Sequence, residues 1–274
     1  MAELEQTRPT GNGRARGLVS SRVSGRRVEA RTYAPGESLR PFVECLWMSS
    51  WDLRGQPPHR TEILGDPCVH VVFERGQSRL VGVCTRLWVR ELSGEGAIRA
   101  AKIHAGAIRA FTDRPAHALT DRVAPLAELW PDALALEARL FAIDDEVESL
   151  LALERWLGSL VLRPVDPQVS LAVQLVEHVA SRPDLLTAEA LVRASGLSMR
   201  PLQKLFRSHV GASPKWVIRR FRLQEAALRL ERDPARSIAE LAAELGYSDH
   251  AHLTRDFKAA TGRSPSEFVR SVHR

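Results

Sequence analysis

One block of sequence occurs twice in the C-terminal part of the chain, and this repeat restricts the fold more than any other feature. In each copy a short run of helical period ends at a glycine, Gly196 in the first and Gly246 in the second. A second helical run follows, and it carries a phenylalanine, Phe206 or Phe257, at nearly the same distance from the glycine. A glycine after a helix permits the left-handed conformation that a sharp turn requires. Each copy therefore predicts a helix-turn-helix unit.

The residues that flank the two predicted turns indicate where the helices begin. Ser237 and Glu240 form a capping-box pattern in the second copy, whereas Ala190 of the first copy cannot supply the reciprocal half. Ser198 and Ser248 directly precede the second helix of each copy, and we expect them to be its N-cap residues. Both second helices run into the same Gly-x-x-Pro sequence, at residues 211–214 and 262–265.

The second helix of each copy is amphipathic. Its apolar positions, which include Leu202 and Leu253, predict the face that packs inside the unit. The opposite face can form hydrogen bonds with base edges in the major groove of duplex DNA, which is about 12 Å wide and admits one helix. The polar side chains on this face are Arg200, Gln203, Lys204 and Arg207 in the first copy, and His250, His252, Arg255 and Lys258 in the second.

The repeat resembles the DNA-binding domain of the AraC family (AraC/XylS type) of bacterial transcription regulators. The resemblance covers residues 168–271 and is closest in residues 237–249 and 257–268. It implies an all-α domain of two helix-turn-helix units joined by a long helix, here Trp216–Arg232. It also implies sequence-specific binding to duplex DNA, with the two recognition helices in successive major grooves, and RNA polymerase as a partner of an activator.

The resemblance assigns roles to individual positions of the two recognition helices. The position of Ala251 is often occupied by a long polar residue, and here it can contact only a thymine methyl group. Arg and Lys suit guanine, and Gln suits adenine. The base-reading residues are expected to be Arg200, Gln203, Lys204, His250, Ala251, His252 and Arg255. The phosphate-contacting residues are expected to be Ser198, Ser248 and Thr254.

The N-terminal half has a different pattern. From about residue 33 to 104, β-branched and aromatic runs such as Cys68–Phe73 alternate with turn residues, which predicts a small antiparallel sheet. From about residue 123 to 162 the period is helical. Residues 1–30 are rich in Gly, Ser and Arg and predict a disordered basic arm.

The boundary between the two halves is marked by Pro164 and Pro167, which exclude a continuous helix. We therefore expect an N-terminal sensor or dimerisation domain at residues 31–163 and the DNA-binding domain at residues 164–274. The fold class is α+β, with a small antiparallel β domain that has a helical extension, followed by an all-α domain.

The role of the N-terminal domain is indicated by a looser resemblance. Residues 33–47 and 119–130 resemble a poorly characterised domain often found before this DNA-binding unit, which implies a sensor for a small-molecule or cellular signal, or a homodimer. Trp47, Trp51 and Trp88 are candidates for a ligand pocket or for core packing. A leucine stripe at Leu150, Leu153, Leu157 and Leu160 is consistent with a dimer seam or with packing on the sheet.

Charge and cysteine usage agree with a DNA-binding protein in a reducing compartment. The net charge is +6, and the excess lies in residues 167–274, which contain 17 Lys+Arg and 11 Asp+Glu. Three widely spaced cysteines and an N-terminus without an apolar signal region predict a cytoplasmic protein. No apolar run approaches the about 20 residues that span a bilayer, so no membrane association is expected.

The sequence is less consistent with two alternatives to DNA binding. Pro67-Cys68-Val69-His70 is distantly similar to the nucleophile site of regulators that repair alkylated DNA, but the histidine is displaced and too few cysteines remain for their zinc site. A non-catalytic adaptor that binds protein through the helical repeat is disfavoured by the basic balance. We expect no enzymatic activity, no cofactor and no metal site.

Overall fold

The computed structural model describes residues 18–20, 28–162, 164–182 and 184–272. Its N-terminal half consists of antiparallel strands followed by two helices. In chain order the strands of the described residues are β1 (Leu18–Ser20), β2 (Val28–Tyr33), β3 (Val43–Leu53), β4 (His59–Ile63), β5 (Val69–Glu74), β6 (Arg79–Val81), β7 (Trp88–Leu92), β8 (Gly94–Ile103) and β9 (Val123–Pro125).

The strands form two sheets. The larger has the order β2-β3-β8-β5-β6-β9, and the smaller has the order β1-β4-β7. The smaller sheet covers part of one face of the larger one, because Leu92 of β7 packs with Trp51, Val72 and Ile98. Trp51 is therefore part of the core, whereas Trp47 and Trp88 are half-buried.

The opposite face of the larger sheet is covered by α1 (Ala133–Leu140) and α2 (Glu146–Leu160). Leu150, Leu153 and Leu157 of α2 are completely buried in this core. The Trp156 ring meets Phe73 of β5 edge to face, with the ring centroids 5.4 Å apart. The leucine stripe thus packs on the sheet, which supports the second of its two interpretations.

Two details of the N-terminal half differ from the sequence-based expectation. Of the expected disordered arm at residues 1–30, residues 1–17 and 21–27 lie outside the described part, but Leu18–Ser20 and Val28–Ala30 lie in β1 and β2. The sequence predicts a helical region from about Val123, yet Val123–Pro125 pairs with β6 as β9. Three residues are too few to show a period, and the register with Leu80 is decided by tertiary pairing.

The C-terminal half is helical, as predicted, and the α+β fold class is confirmed. A long helix, α6, joins the two helix-turn-helix units and begins at Pro214, where the proline ring is tolerated in the first turn. The helices of this half are α3 (Gln168–Ser181), α4 (Ala188–Ser195), α5 (Met199–Leu205), α6 (Pro214–Arg232), α7 (Ile238–Glu244), α8 (His250–Thr261) and α9 (Pro265–Val272). A π-helical segment, Phe206–Val210, continues α5 and completes the second helix of the first unit. None of the described helices is long and apolar enough to cross a bilayer.

A buried polar network, which we call the junction, joins the β domain to α6. The side-chain amide of Gln224 donates to the Leu64 carbonyl at 2.9 Å and to Asp66 Oδ1 at 2.7 Å. The other oxygen of Asp66 accepts from Lys102 Nζ at 2.6 Å. Gln224 is only 4% exposed, so these hydrogen bonds replace the water that the groups lose on folding.

Further contacts fix α6 and its neighbours on the β domain. The Arg220 guanidinium donates to the Thr85 carbonyl at 2.7 Å, and Arg263, beyond α8, pairs with Glu62 of β4 at 2.6 Å. After β8 the chain turns at Gly106 with φ +101°, directly against α3. A Cβ at this position would lie 2.9 Å from the backbone carbon of Ala172, so only glycine allows this approach.

The junction predicts a stability defect that depends on burial. Gln224→Leu leaves the Leu64 carbonyl buried without its donor, and we expect the free energy of unfolding to fall by about 1–3 kcal/mol. Urea unfolding of the full chain measures this loss. The matched control is Gln174→Leu on the exposed face of α3, which should change stability by no more than about 0.5 kcal/mol. Equal effects of the two substitutions would contradict the structural role of the junction.

His70 of β5 lies on the sheet face opposite α2 and contacts the Trp47 ring edge to face, with centroids 6.3 Å apart. Burial, reinforced by the positive charge of Lys102, lowers the pKa of His70 to about 4. In the unfolded chain the pKa of a histidine is about 6.5. The unfolded state therefore binds a proton first as the pH falls.

This difference predicts a pH-dependent stability. The contribution of neutral His70 is complete above about pH 6.5 and is lost as the pH falls towards 4. In His70→Phe, which keeps a ring but cannot titrate, the free energy of unfolding should fall less steeply between pH 7 and 5 than in the wild type. Urea titrations at the two pH values test this, with exposed His117→Phe as the control that keeps the wild-type slope.

Candidate DNA interface

The first helix-turn-helix unit consists of α4 and α5, separated by the predicted glycine turn. Thr187 caps α4, because its hydroxyl accepts a hydrogen bond from the Ala190 amide. The methyl side chain of Ala190 cannot return a hydrogen bond, so the reciprocal half of a capping box is missing, as the sequence indicates. Gly196 has φ +69°, the left-handed conformation expected for a sharp turn. Ser198 occupies the N-cap position of α5, as predicted, but its hydroxyl makes no capping hydrogen bond. The hydroxyl is thus left exposed.

The second unit consists of α7 and α8 and differs from the prediction at one cap. Ser237 caps α7 by accepting from the Glu240 amide, in agreement with the capping-box pattern. The N-cap of α8 is Asp249 rather than Ser248, because the Asp249 carboxylate accepts from the His252 amide at 2.7 Å. Sequence order alone did not separate two adjacent residues that are both good N-caps. The carboxylate is the stronger acceptor for the amides of a helix N-terminus.

The polar side chains predicted to meet DNA point away from the protein core. Leu202, Leu205 and Phe206 bury one side of the first recognition helix, and Leu253 and Phe257 bury one side of the second. The predicted residues that are exposed are Ser198, Arg200, Gln203, Lys204, Arg207, Ser248, His250, Arg255 and Lys258, whereas Ala251, His252 and Thr254 are half-buried.

The exposed cations of the two recognition helices form no close ion pairs with described residues of the protein. Within the described residues, Arg200, Lys204, Arg207, Arg255 and Lys258 form no ion pair within 4 Å and donate no side-chain hydrogen bond. This contrasts with most arginines of the β domain, such as Arg79 and Arg90, which both pair with Glu74. Unpaired cations on two exposed helix faces constitute a surface for a polyanion.

His252 is held in a network that the sequence did not predict. Its ring meets Tyr247 edge to face at 5.0 Å, its Nδ1 lies 3.2 Å from Ser248 Oγ, and its Nε2 lies 3.9 Å from Asp256. Asp256 in turn accepts two hydrogen bonds at 2.7 Å from Arg219 of α6. These contacts fix the rotation of α8 on the connecting helix. Only three-dimensional proximity reveals Arg219 and Asp256, since no motif marks them.

The opposite side of this network is closed by α6. The Arg222 guanidinium lies 4.1 Å from the centre of the Tyr247 ring, in a cation–π contact. Burial raises the pKa of Tyr247 to about 12, so its phenol stays neutral. The orientation of the second recognition helix therefore depends on side chains of α6 as well as on its own apolar face.

One cluster in the β domain has atoms suited to a metal ion, but it is occupied by a lysine. Single ligand atoms of Glu44, Asp66 and Cys68 lie within 4.8 Å of one another. Lys102 Nζ donates to Glu44 at 2.9 Å and to Asp66 at 2.6 Å, so both carboxylates already have a cationic partner at the place a metal ion would take. Burial raises the pKa of the Cys68 thiol well above its ordinary value. A thiolate for alkyl transfer is thereby disfavoured.

Comparison with known proteins gives two family matches. Residues 191–271 match a helix-turn-helix domain, which contains both recognition helices, and residues 31–125 match a domain of unknown function (DUF6597). The second match runs from the end of β2 through β9 and leaves out α1 and α2. The chain thus combines a well-defined repeat with a domain whose activity its family description does not state.

Curated relatives align with parts of the chain. The HTH-type transcriptional regulator MtrA of Neisseria gonorrhoeae is 32% identical over 95 residues, which are 34% of this chain and 31% of the relative. The XylDLEGF operon transcriptional activator of Pseudomonas putida is 31% identical over 121 residues, which are 42% of this chain and 37% of the relative. The chain therefore spans only about a third of the length of these relatives.

Among solved structures, the chain is similar to a probable AraC family transcriptional regulator from Rhodopseudomonas palustris. The identity is 30%, the TM-score is 0.32, and the match covers 36% of this chain and 94% of that one. Fold and repeat together define the architecture: a β domain followed by a double helix-turn-helix unit. The C-terminal part of the chain is thus similar to the helix-turn-helix parts of transcriptional regulators.

The corrected cap of α8 can be tested by a matched pair of substitutions. Asp249→Ala removes the acceptor for the His252 amide, and we expect the free energy of unfolding to fall by about 1 kcal/mol. Ser248→Ala leaves this cap intact and should cost less than about 0.5 kcal/mol. Urea unfolding with circular dichroism measures both, and the opposite ranking would restore Ser248 as the N-cap.

Proposed function

We propose that this protein is a sequence-specific transcriptional regulator that reads duplex DNA with α5 and α8 in successive major grooves. A single DNA-binding unit would then contact two sites about 10 base pairs apart on one face of the duplex. Such a regulator acts in the cytoplasm, where the bacterial chromosome lies. No enzymatic step is part of the proposal.

The observation that carries this proposal is the pair of exposed, unpaired cationic faces on two helices held by one connector. Arg200, Lys204 and Arg255 have no acidic partner within 4 Å among the described residues, so their charges are available to phosphates and guanine edges. Gln203 adds an amide suited to adenine. His252 is less free to contact bases than Arg255, because its ring is already engaged by Tyr247 and Ser248.

The N-terminal domain is proposed to sense a signal and pass it to the DNA-binding unit. The junction supports this role, since Asp66 of the β domain is bound directly by Gln224 of the connecting helix. A change in the position of the 64–66 loop would therefore act on α6, which carries both helix-turn-helix units. RNA polymerase, a small-molecule effector and a second copy of the chain are the proposed partners.

The central test is DNA selection followed by mutation of one predicted reader. The purified full chain first selects its site from random duplexes, and anisotropy titrations then measure affinity. Arg255→Ala should weaken specific binding by about 1–3 kcal/mol and relax the preference at one base pair. Arg155→Ala, an exposed arginine of α2 on the other domain, is the control and should bind like the wild type.

Salt dependence separates DNA binding from an adaptor role. If the recognition faces neutralise phosphates, the logarithm of the binding constant should fall linearly with the logarithm of the salt concentration. Failure to select any duplex, or unchanged affinity in Arg255→Ala, would contradict the proposed function or the assignment of this reader, respectively.

A further inference from the structure

A cavity of 460 Å³ lies where the two halves of the chain meet, away from the junction and from both recognition helices. Its walls come from the 40–42 turn and His104 of the β domain, from the 165–167 linker, and from one face of α3. Small-molecule sites in proteins typically occupy about 300–1,000 Å³ and often lie between domains. The volume and the position are thus those of a ligand site.

The charges around this cavity leave one cation uncompensated. Asp166 is engaged by His209 at 3.1 Å and by Arg109 at 3.6 Å, and Glu177 lies 3.8 Å from His104. Arg40 uses its Nε to donate to the Pro35 carbonyl at 3.3 Å. Within the described part of the chain its guanidinium has no acidic partner within 4 Å. Its two terminal nitrogens are therefore available to an anion at the cavity rim.

The rest of the cavity offers apolar surface. Phe42, Val169 and Val173 line it together with the rings of Pro41 and Pro167. A ligand that uses both features has a negative group at one end and an apolar body at the other. Because the acidic groups of Asp166 and Glu177 stand at the same cavity, a singly charged group is favoured over a doubly charged phosphate.

We infer that this cavity binds a small carboxylate with an apolar body, with the carboxylate paired to Arg40 and the body packed against Phe42 and Val173. Paired hydrogen bonds between a guanidinium and a carboxylate are short and directional, which gives the site its selectivity. Because the walls belong to both halves, an occupant contacts the β domain and α3 at the same time. That the bound carboxylate acts as the effector rests on the proposed function. A ligand changes the DNA affinity of a protein only when two conformations of the protein bind that ligand with different affinity.

The binding test uses the full chain and two chemically matched pairs of probes. Benzoate and octanoate are titrated by calorimetry beside benzyl alcohol and 1-octanol, so that the aromatic and aliphatic arms identify the kind of body. At least one carboxylate should bind with one-to-one stoichiometry, and about tenfold or more tightly than its alcohol. Binding of neither carboxylate, or equal binding of acid and alcohol, would overturn the inference.

Two variants locate the site. Arg40→Gln removes the guanidinium and should weaken carboxylate binding about tenfold or more. Ser170→Trp places an indole into the cavity from the exposed face of α3 and should abolish binding. Arg155→Gln, the same change on the surface of α2, is the control and should bind like the wild type. Both positions are exposed, and urea unfolding verifies that each variant folds. Wild-type affinity in both cavity variants would place the ligand elsewhere.

A second measurement tests the effector role separately from DNA binding itself. With the selected duplex, saturation by the carboxylate that binds should change the DNA affinity of the wild type by about fivefold or more, and leave that of Arg40→Gln unchanged. An unchanged DNA affinity in the wild type would overturn the effector assignment. Failure to select any duplex would contradict the proposed function, while calorimetry still decides whether the cavity binds a carboxylate.

Discussion

The structure depends on the burial of one carboxylate between two halves of the chain. Asp66 is shielded from water, and its two oxygens are bound by Lys102 of the β domain and by Gln224 of the connecting helix. A buried carboxylate is costly unless it is paired and hydrogen-bonded. Each half therefore supplies hydrogen bonds to polar groups that the other half buries. These shared hydrogen bonds couple the packing of the sheet to the packing of the helices.

This coupling explains how one domain holds a unit made of two separate helix-turn-helix modules. The first module is held by the Thr120 hydroxyl, which donates to the Gly211 carbonyl at 2.7 Å. The connecting helix α6 is held through Gln224 and Arg220. The second module is held by the Arg263–Glu62 ion pair. The recognition faces remain exposed in this arrangement. The β domain supports the DNA-binding unit from behind and leaves the candidate interface open.

The two halves were predictable to different degrees. The repeat was read correctly because glycine turns and side-chain caps are local signals, written within a few residues. The sequence pattern does not mark the long strand β3 and predicts helix at β9, because strand pairing is decided by partners far away in sequence. Arg219 and Asp256, which orient α8 on α6, are not predictable for the same reason. The junction is not predictable either, because its residues are also distant in sequence. At α8, a choice between two neighbouring caps was decided by geometry that sequence order does not contain.

The turn at Gly106 has a consequence for how such a protein can evolve. Because the β domain meets α3 where there is no room for a side chain, its surface is fitted to one particular helix. Recombination that joined this β domain to the repeat of a distant relative would bring an unmatched helix against that turn. The two modules should therefore be inherited as a co-adapted pair, and exchange between lineages should succeed mainly when the complementary surfaces travel together.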